Sequence, residues 1–165
     1  MCGIVGIYLK SKKFEKSLGG MLSKMLVSME SRGPDSAGFA IYNSDKNKTY
    51  KYSICLNEMS FEKFKKEIKK KVKFSSVEKN SDHIILKSIE KPSKILPILE
   101  SYEKISLVGY GKSIEIFKQV GSPSNVVKKF NLANFSGTHA IGHTRMATES
   151  AITTNGSHPY STGED

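Results

Sequence analysis

Residues 1–9 read MCGIVGIYL, and the fold starts from this stretch. Gly3 to Leu9 is apolar and β-branched, with two glycines, which predicts a buried strand at the very start of the chain. The apolar run is short and its lysines follow it, whereas a secretory signal places its positive charge first. We therefore expect a cytoplasmic protein whose first residues belong to its core.

The segments that follow predict a mixture of helices and strands. Apolar residues recur every three or four positions from Ser17 to Met29, which is typical of one helical face. Turn residues occupy 31–36, a strand follows at 37–42, and a polar turn at 43–48 leads to a partner strand at 49–55. Further along we expect a helix at 60–74 that Ser60 caps, a strand or helix at 82–89, strands at 105–109 and 113–120, a short helix that Ser122-Pro123 opens, and a strand at 140–147.

Composition limits the kind of protein this is. At 165 residues the chain suits one globular domain, and its longest apolar runs are too short for a bilayer span. The net charge of +10 raises the possibility of nucleic-acid binding, but only two of the 26 basic residues are arginine. The lysines are scattered or alternate with glutamate, so we expect neither a nucleic-acid nor a membrane partner. Two cysteines without a CxxC pair predict no disulfide framework and no metal site.

Cys2 is a candidate nucleophile. Removal of Met1 exposes it as the first residue, with its own α-amine within reach of the thiol. That amine can accept the thiol proton, so an N-terminal nucleophile needs no histidine partner. An incidental small residue after Met1 is the alternative, but the glycine-spaced strand after Cys2 holds it in a fixed position.

Two later segments carry further polar residues. RGPDSAG at 32–38 is a Gly-Pro turn with an Arg–Asp pair, and GHTRMATES at 142–150 is followed by NGSHP at 155–159. Arg145 ends an apolar strand among small hydroxyl residues, which suits a carboxylate receptor because guanidinium binds carboxylate through two parallel hydrogen bonds. His143 and His158 are interpreted as structural histidines rather than metal ligands.

Together, MCGIVGI, SRGPDSAG and GHTRMATES…NGSHP resemble the class II (N-terminal cysteine) glutamine amidotransferase domain in order and wording. Met146, where sugar-phosphate enzymes of this family carry tryptophan, makes the chain most similar to amidotransferase subunits of archaeal-type glutamate synthases and methylamine–glutamate synthases. The resemblance implies the αββα four-layer sandwich of the Ntn hydrolases. It also implies glutamine as substrate, a synthase partner that receives the ammonia, and no cofactor.

The resemblance assigns roles to residues of this chain. Cys2 matches the nucleophile that attacks the glutamine side-chain amide. Arg145 matches the residue that binds the substrate α-carboxylate, with Thr148 in the pocket wall and His158 lining the same pocket. Metal ligands are not expected.

The resemblance also covers two further residues and the extent of the domain. Arg32 and Asp35 match a segment with a positioning role. Residues 1–165 correspond to the N-terminal part of one domain, with a family insertion at about 51–120. The family's oxyanion-hole block is not found before Asp165, so we expect a fold that is incomplete at its C-terminus and a 165-residue chain that is inactive alone. A catalytically silent regulatory or interaction module of the same fold is the alternative.

Overall fold

The computed structural model describes residues 2–43, 49–147, 152–161 and 165. Within these ranges the chain forms helices and antiparallel sheets. In chain order the elements are β1 (Gly3–Tyr8), α1 (Leu18–Ser28), β2 (Ser36–Tyr42), β3 (Tyr50–Leu56), α2 (Phe61–Ile68), β4 (Ser76–Asn80), β5 (His83–Ser88), α3 (Pro92–Glu100), β6 (Ile105–Gly111), β7 (Ile114–Val120), α4 (Pro123–Phe130) and β8 (His139–Arg145), with short 3₁₀ helices at Lys12–Ser17, Glu30–Arg32 and Leu132–Asn134. The α+β class agrees with this mixture, and the four-layer arrangement stays a prediction.

The chain divides into two compact units. One comprises Met1–Ser44 with Ile116–Tyr160, and the other comprises Asp45–Glu115 with Ser161–Asp165. The single domain with an insertion at about 51–120 stays a prediction. Among the described residues, no helix has the length and apolar character that a bilayer crossing needs.

The first unit contains a four-stranded sheet in the order β1-β8-β2-β7. β8 pairs antiparallel with both β1 and β2. Helix α1 packs on this sheet through Leu18, Leu22 and Leu26, which recur every four residues and are fully buried. The helix comes close because Gly142 of β8 has no side chain, and a Cβ there would lie 2.9 Å from a methyl carbon of Leu26.

The second unit contains a sheet in the order β4-β5-β3-β6. Its hydrophobic core forms between α2, α3 and one set of strand side chains. The fully buried members include Tyr52, Ile54, Phe64, Ile68, Ile84, Leu86 and Ile95. The other set of side chains on β3 and β5, which points to the opposite face, includes Cys55 and His83.

Most predicted elements are confirmed. The strand at 3–9, the helix at 17–29 and the strand at 140–147 are present with small differences at their ends. Ser60 and Ser122 cap α2 and α4, and each hydroxyl accepts a backbone amide at 3.3 Å. The segment left open between strand and helix at 82–89 forms β5, because its consecutive apolar residues are buried in the middle of a sheet.

The predicted pairing of residues 49–55 with 37–42 is wrong. β2 lies between β8 and β7, and β3 lies between β5 and β6 in the other sheet. Both edges of β2 are therefore occupied by strands from distant parts of the sequence, which a local turn signal cannot reveal. Residues 44–48 of the predicted turn lie outside the described residues.

Two helices also differ from the prediction. α2 ends at Ile68 instead of continuing to residue 74. Lys69 and Lys70 lie four positions after Lys65 and Lys66, and like charges at this spacing disfavour a helix. α3 was not predicted, because Pro97 inside it interrupts the usual helical pattern.

Candidate active site

β8 presents its side chains on two faces of the first sheet. Burial alternates along the strand: Ala140 and Thr144 are buried, while His143 and Arg145 are half-buried. Successive strand residues point to opposite faces, so His143 and Arg145 share one face and Thr144 faces α1 with Gly142. The face with the histidine and the arginine is partly open, since Ile4, paired with His143, is 70% exposed.

Polar side chains of β2 and β8 lie at the end of this open face. Ser36 of β2 pairs directly with Arg145, and Gly3 of β1 pairs with Thr144. Paired residues of antiparallel strands point to the same face. Cys2 directly precedes β1, whose pairing with β8 ends at Gly3 and Thr144, one residue before Arg145. Cys2 is exposed and forms no disulfide, so its thiol is accessible.

The segment before β2 holds the backbone around Arg145. Pro34 forms a parallel bridge with Arg145. The Asp35 amide donates to the Arg145 carbonyl oxygen at 3.1 Å, and the Asp35 carboxylate accepts the amide of Ala147 at 2.8 Å. Gly33 permits this approach, because a Cβ there would lie 2.5 Å from the Arg145 nitrogen. The backbone around Arg145 is therefore held in place by hydrogen bonds to this segment.

A later segment lies over the same face. The ring of His158 stacks on that of His143 with their centroids 4.3 Å apart, and Tyr160 packs edge-on against His158 at 4.5 Å. The ammonium of Lys118 lies 3.2 Å from the carbonyl oxygen of Asn155 and 4.5 Å from the centre of the Tyr160 ring. These contacts place His158 next to the strand that ends in Arg145.

Burial and positive neighbours keep both imidazoles neutral near pH 7. Burial is the main cause that lowers the pKa of His143 to about 4, and His158 and Arg145 add to it. Burial also lowers the pKa of His158, followed by the charges of Arg145 and Lys118. The site therefore carries the charge of its arginine and lysine but none on its histidines.

Three polar atoms of Ser36, His143 and His158 lack a hydrogen-bond partner within the described part of the chain. They are the Oγ of Ser36 and the Nδ1 atoms of His143 and His158, and all three are buried. Buried polar groups normally form hydrogen bonds, so each of these unpaired atoms needs an explanation. An explanation common to all three is a polar ligand that binds on this face beside Arg145.

The residues singled out from sequence differ in where they lie. Cys2, Arg145, Asp35 and His158 all belong to the first unit, and the contacts above bring the last three around the end of β8. Arg32 ends a 3₁₀ helix and its side chain is exposed. Thr148 lies outside the described residues. The roles given to all six remain predictions.

Sequence reasoning missed three residues of this site. Ser36 was interpreted as part of a turn, although strand alternation from Phe39 backwards would have placed it on a sheet face. His143 received no role, although it lies two residues before Arg145 in a strand and so shares its face. Lys118 looked like one surface lysine among many, but it is only 4% exposed.

The fold is of the α+β class, and the chain is similar in sequence to proteins named as glutamine amidotransferases. The chain is 41% identical over 169 residues to the "Glutamine amidotransferase-like protein GlxB" of Rhizobium meliloti (strain 1021), and the match covers 100% of this chain and 56% of the relative. It is 31% identical over 173 residues to a "Putative glutamine amidotransferase" of Methanothermobacter thermautotrophicus, covering 97% of this chain and 56% of the relative.

More limited similarity extends to a larger enzyme. The chain is 35% identical over 79 residues to "Glutamine--fructose-6-phosphate aminotransferase [isomerizing]" of Methanococcus maripaludis, over 43% of this chain and 13% of that protein. No protein-family model matches the chain. The chain spans about half the length of the curated relatives that it matches along its whole length.

Proposed function

We propose that this chain carries the glutaminase half of a class II, N-terminal-nucleophile glutamine amidotransferase. The observation that carries the proposal is the β1–β8 pairing of Gly3 with Thr144, which brings their chain neighbours Cys2 and Arg145 to the same end of an open sheet face. A nucleophile and a carboxylate receptor at neighbouring positions suit an amino-acid substrate that bears its reactive amide on a short side chain. Full-length similarity to proteins named as glutamine amidotransferases supports the same substrate.

Substrate binding in this proposal uses the polar groups around Arg145. The guanidinium binds the α-carboxylate of glutamine through two parallel hydrogen bonds. Ser36 and His158 line the pocket, and their unpaired buried atoms offer hydrogen bonds to the ligand. Thr148 contributes to the pocket wall. Asp35, through its contacts with the Arg145 backbone, acts as a positioning residue, and Arg32 belongs to the same positioning segment.

The chemistry starts once Met1 is removed. The α-amine of Cys2 accepts the thiol proton, directly or through a water, and the thiolate attacks the carboxamide carbon of glutamine. The tetrahedral intermediate collapses as the protonated α-amine of Cys2 gives its proton to the leaving nitrogen, which releases ammonia and leaves a γ-glutamyl thioester on Cys2. Water then hydrolyses the thioester to glutamate and regenerates the thiol. No step requires a cofactor.

The proposal extends to the fold and to the fate of ammonia. We place the chain in the αββα four-layer class of Ntn hydrolases, as one domain with an insertion at about 51–120. Ammonia passes to a partner synthase of the glutamate-synthase type. Support for a synthase partner comes from the limited similarity to glutamine–fructose-6-phosphate aminotransferase, a much longer protein.

Affinity labelling of the complete gene product tests the proposal. The protein is expressed with its native start, loss of Met1 is verified by intact mass, and a glutamine-like electrophile, diazo-oxo-norleucine, is added. Peptide mapping then distinguishes Cys2 from Cys55, the chain's other cysteine. We expect label on Cys2, protection by glutamine, and loss of ammonia release in Cys2→Ala.

A second variant tests the carboxylate receptor. Arg145→Lys keeps the charge but loses the two-pronged geometry, so the KM for glutamine should rise by about 10-fold to 100-fold with a smaller change in kcat. Ammonia release that survives Cys2→Ala would sink the proposal. Complete absence of labelling in a folded protein would instead support the catalytically silent module.

A further inference from the structure

The second unit brings together three side chains of metal-binding type that the proposed function does not use. Cys55 of β3 pairs directly with His83 of β5, so both side chains point to the same face of the second sheet. Asp82 precedes His83. One donor atom each from Cys55, Asp82 and His83 lies within 4.8 Å of the other two.

Two residues of the cluster are buried, and the third is partly exposed to solvent. Cys55 is 3% exposed and His83 is 0% exposed. The side chain of Asp82 is 31% exposed and lines a surface cavity of about 530 Å³, together with Ser81 and Lys79. An ion and its water could therefore enter from the Asp82 side, while the thiol and the imidazole stay shielded from bulk solvent.

The backbone holds the three residues in place. Asn80 pairs with His83, so only Ser81 and Asp82 form the turn between β4 and β5. Ser81 adopts a left-handed conformation with φ 58°. The Asp82 carbonyl oxygen accepts the amide of Leu56 at 2.7 Å, next to Cys55 in β3. The donors therefore sit on paired strands and a tight turn that β3 anchors.

The separation between His83 and Asp82 suits two ligands of a tetrahedral ion. The Nδ1 of His83 lies 3.0 Å from the Oδ1 of Asp82. Zinc bonds of about 2.0–2.1 Å to nitrogen and oxygen place two such ligands roughly 3.3 Å apart in a tetrahedron, so these two atoms need little movement. Thiolate, imidazole and carboxylate are the zinc ligand set, whereas magnesium and calcium take oxygen ligands.

We propose that Cys55, Asp82 and His83 bind one Zn²⁺ ion in the second unit, with water from the cavity as the fourth ligand. The prediction of no metal site rested on the absence of CxxC and helical ligand spacings. Here the ligands come from β3, from β5 and from the turn just before β5, and these two strands are distant in sequence but adjacent in the sheet. The ion stabilises the folded chain, since it binds the native state in preference to the unfolded one.

Cobalt titration of the complete protein tests this proposal independently of the glutaminase proposal. A Cys2→Ser background leaves Cys55 as the chain's remaining thiol. The metal-free protein is titrated with Co²⁺, which reports thiolate ligation through a near-ultraviolet charge-transfer band. We expect the band to saturate at one ion per chain, Zn²⁺ to displace it, and Zn²⁺ to raise the Tm.

Variants assign the ligands. Cys55→Ser should abolish the band, and His83→Gln should weaken binding by more than about 100-fold, beyond the effect of altering a ligand's neighbours. Asp82→Asn should disturb folding least, because the carboxylate is partly exposed. It therefore tests the metal site even if the variants of the two buried residues do not fold. It should keep the band but weaken binding at least about tenfold.

His139→Gln, in the other sheet, is the control and should bind the metal ion normally. No charge-transfer band in the Cys2→Ser protein, or unchanged affinity in folded Asp82→Asn, would overturn the proposal.

Discussion

The backbone amide of Asp35 donates a hydrogen bond to the carbonyl oxygen of Arg145 at 3.1 Å, and the carboxylate of Asp35 accepts the amide of Ala147 at 2.8 Å. One residue thus holds the chain on both sides of the candidate carboxylate receptor. The carbonyl oxygen of Asp35 also accepts the amide of Gly121 at 2.8 Å, which ties a third segment to the same point. The acidic residue of the RGPDSAG segment therefore supports the arginine through backbone contacts.

Replacing the Asp35 side chain should loosen Arg145. Asp35→Ala leaves the half-buried amide of Ala147 without its acceptor, which should cost about 1–2 kcal/mol of unfolding free energy and raise the KM for glutamine. Asp35→Asn keeps an acceptor oxygen and should recover most of both. Urea unfolding and ammonia-release kinetics measure the two effects. Equal losses in both variants would contradict the hydrogen-bond explanation.

Ser36→Ala should separate a binding role from a structural one. The buried hydroxyl has no hydrogen-bond acceptor or donor among the described residues, so its removal should change the unfolding free energy by less than about 0.5 kcal/mol. The KM for glutamine should rise about tenfold if the hydroxyl binds substrate, which is about 1.4 kcal/mol.

Ser23 provides the matched control for Ser36. Its hydroxyl donates to the carbonyl oxygen of Gly19 at 2.7 Å inside α1, away from the open face. Ser23→Ala should lower stability slightly and leave the KM unchanged. A normal KM in Ser36→Ala would remove Ser36 from the pocket.

Gly38→Ala should displace the segment that carries His158. A Cβ at Gly38 would lie 2.3 Å from the His158 carbonyl oxygen and 2.6 Å from the Lys118 Cβ, so the covering segment must move. We expect a loss of about 1–3 kcal/mol and shifted His143 and His158 resonances in NMR spectra. Gly6→Ala is the control, because its Cβ would meet its nearest neighbour at an ordinary 3.7 Å. Similar losses in both variants would contradict the close packing over Gly38.

Stability should fall as the solution becomes acidic below about pH 6.5. Burial, with help from His158 and Arg145, lowers the pKa of His143 to about 4 in the folded protein. Between these two pH values the unfolded chain takes up a proton that the folded site rejects, so protonation favours unfolding. Above this window the histidine is neutral in both states and its contribution is constant.

Urea unfolding at a series of pH values measures this dependence. His143→Asn should make the slope between pH 6.5 and pH 4 shallower, with a residual part from His158, whose pKa is lowered in the same direction. His139→Asn, in the same strand, should keep the slope because His143 is still present. An unchanged slope in His143→Asn would contradict the assignment.

Much of the fold could be predicted from local signals. The Leu18, Leu22 and Leu26 spacing predicts α1, and the hydroxyls of Ser60 and Ser122 mark the starts of α2 and α4, because periodicity and capping act within one or two helical turns. The sequence alone also predicted which residues carry the proposed chemistry, Cys2 at the chain start and Arg145 at the end of an apolar strand, and both roles stay predictions.

Only the tertiary structure decided which strands pair and which side chains meet. It placed Ser36 opposite Arg145, stacked His158 on His143, and set Cys55 opposite His83. The reason is physical: strand pairing between distant segments follows the burial of whole faces, and a register shift of one residue would turn every side chain to the other face. No local pattern around these residues contains that information.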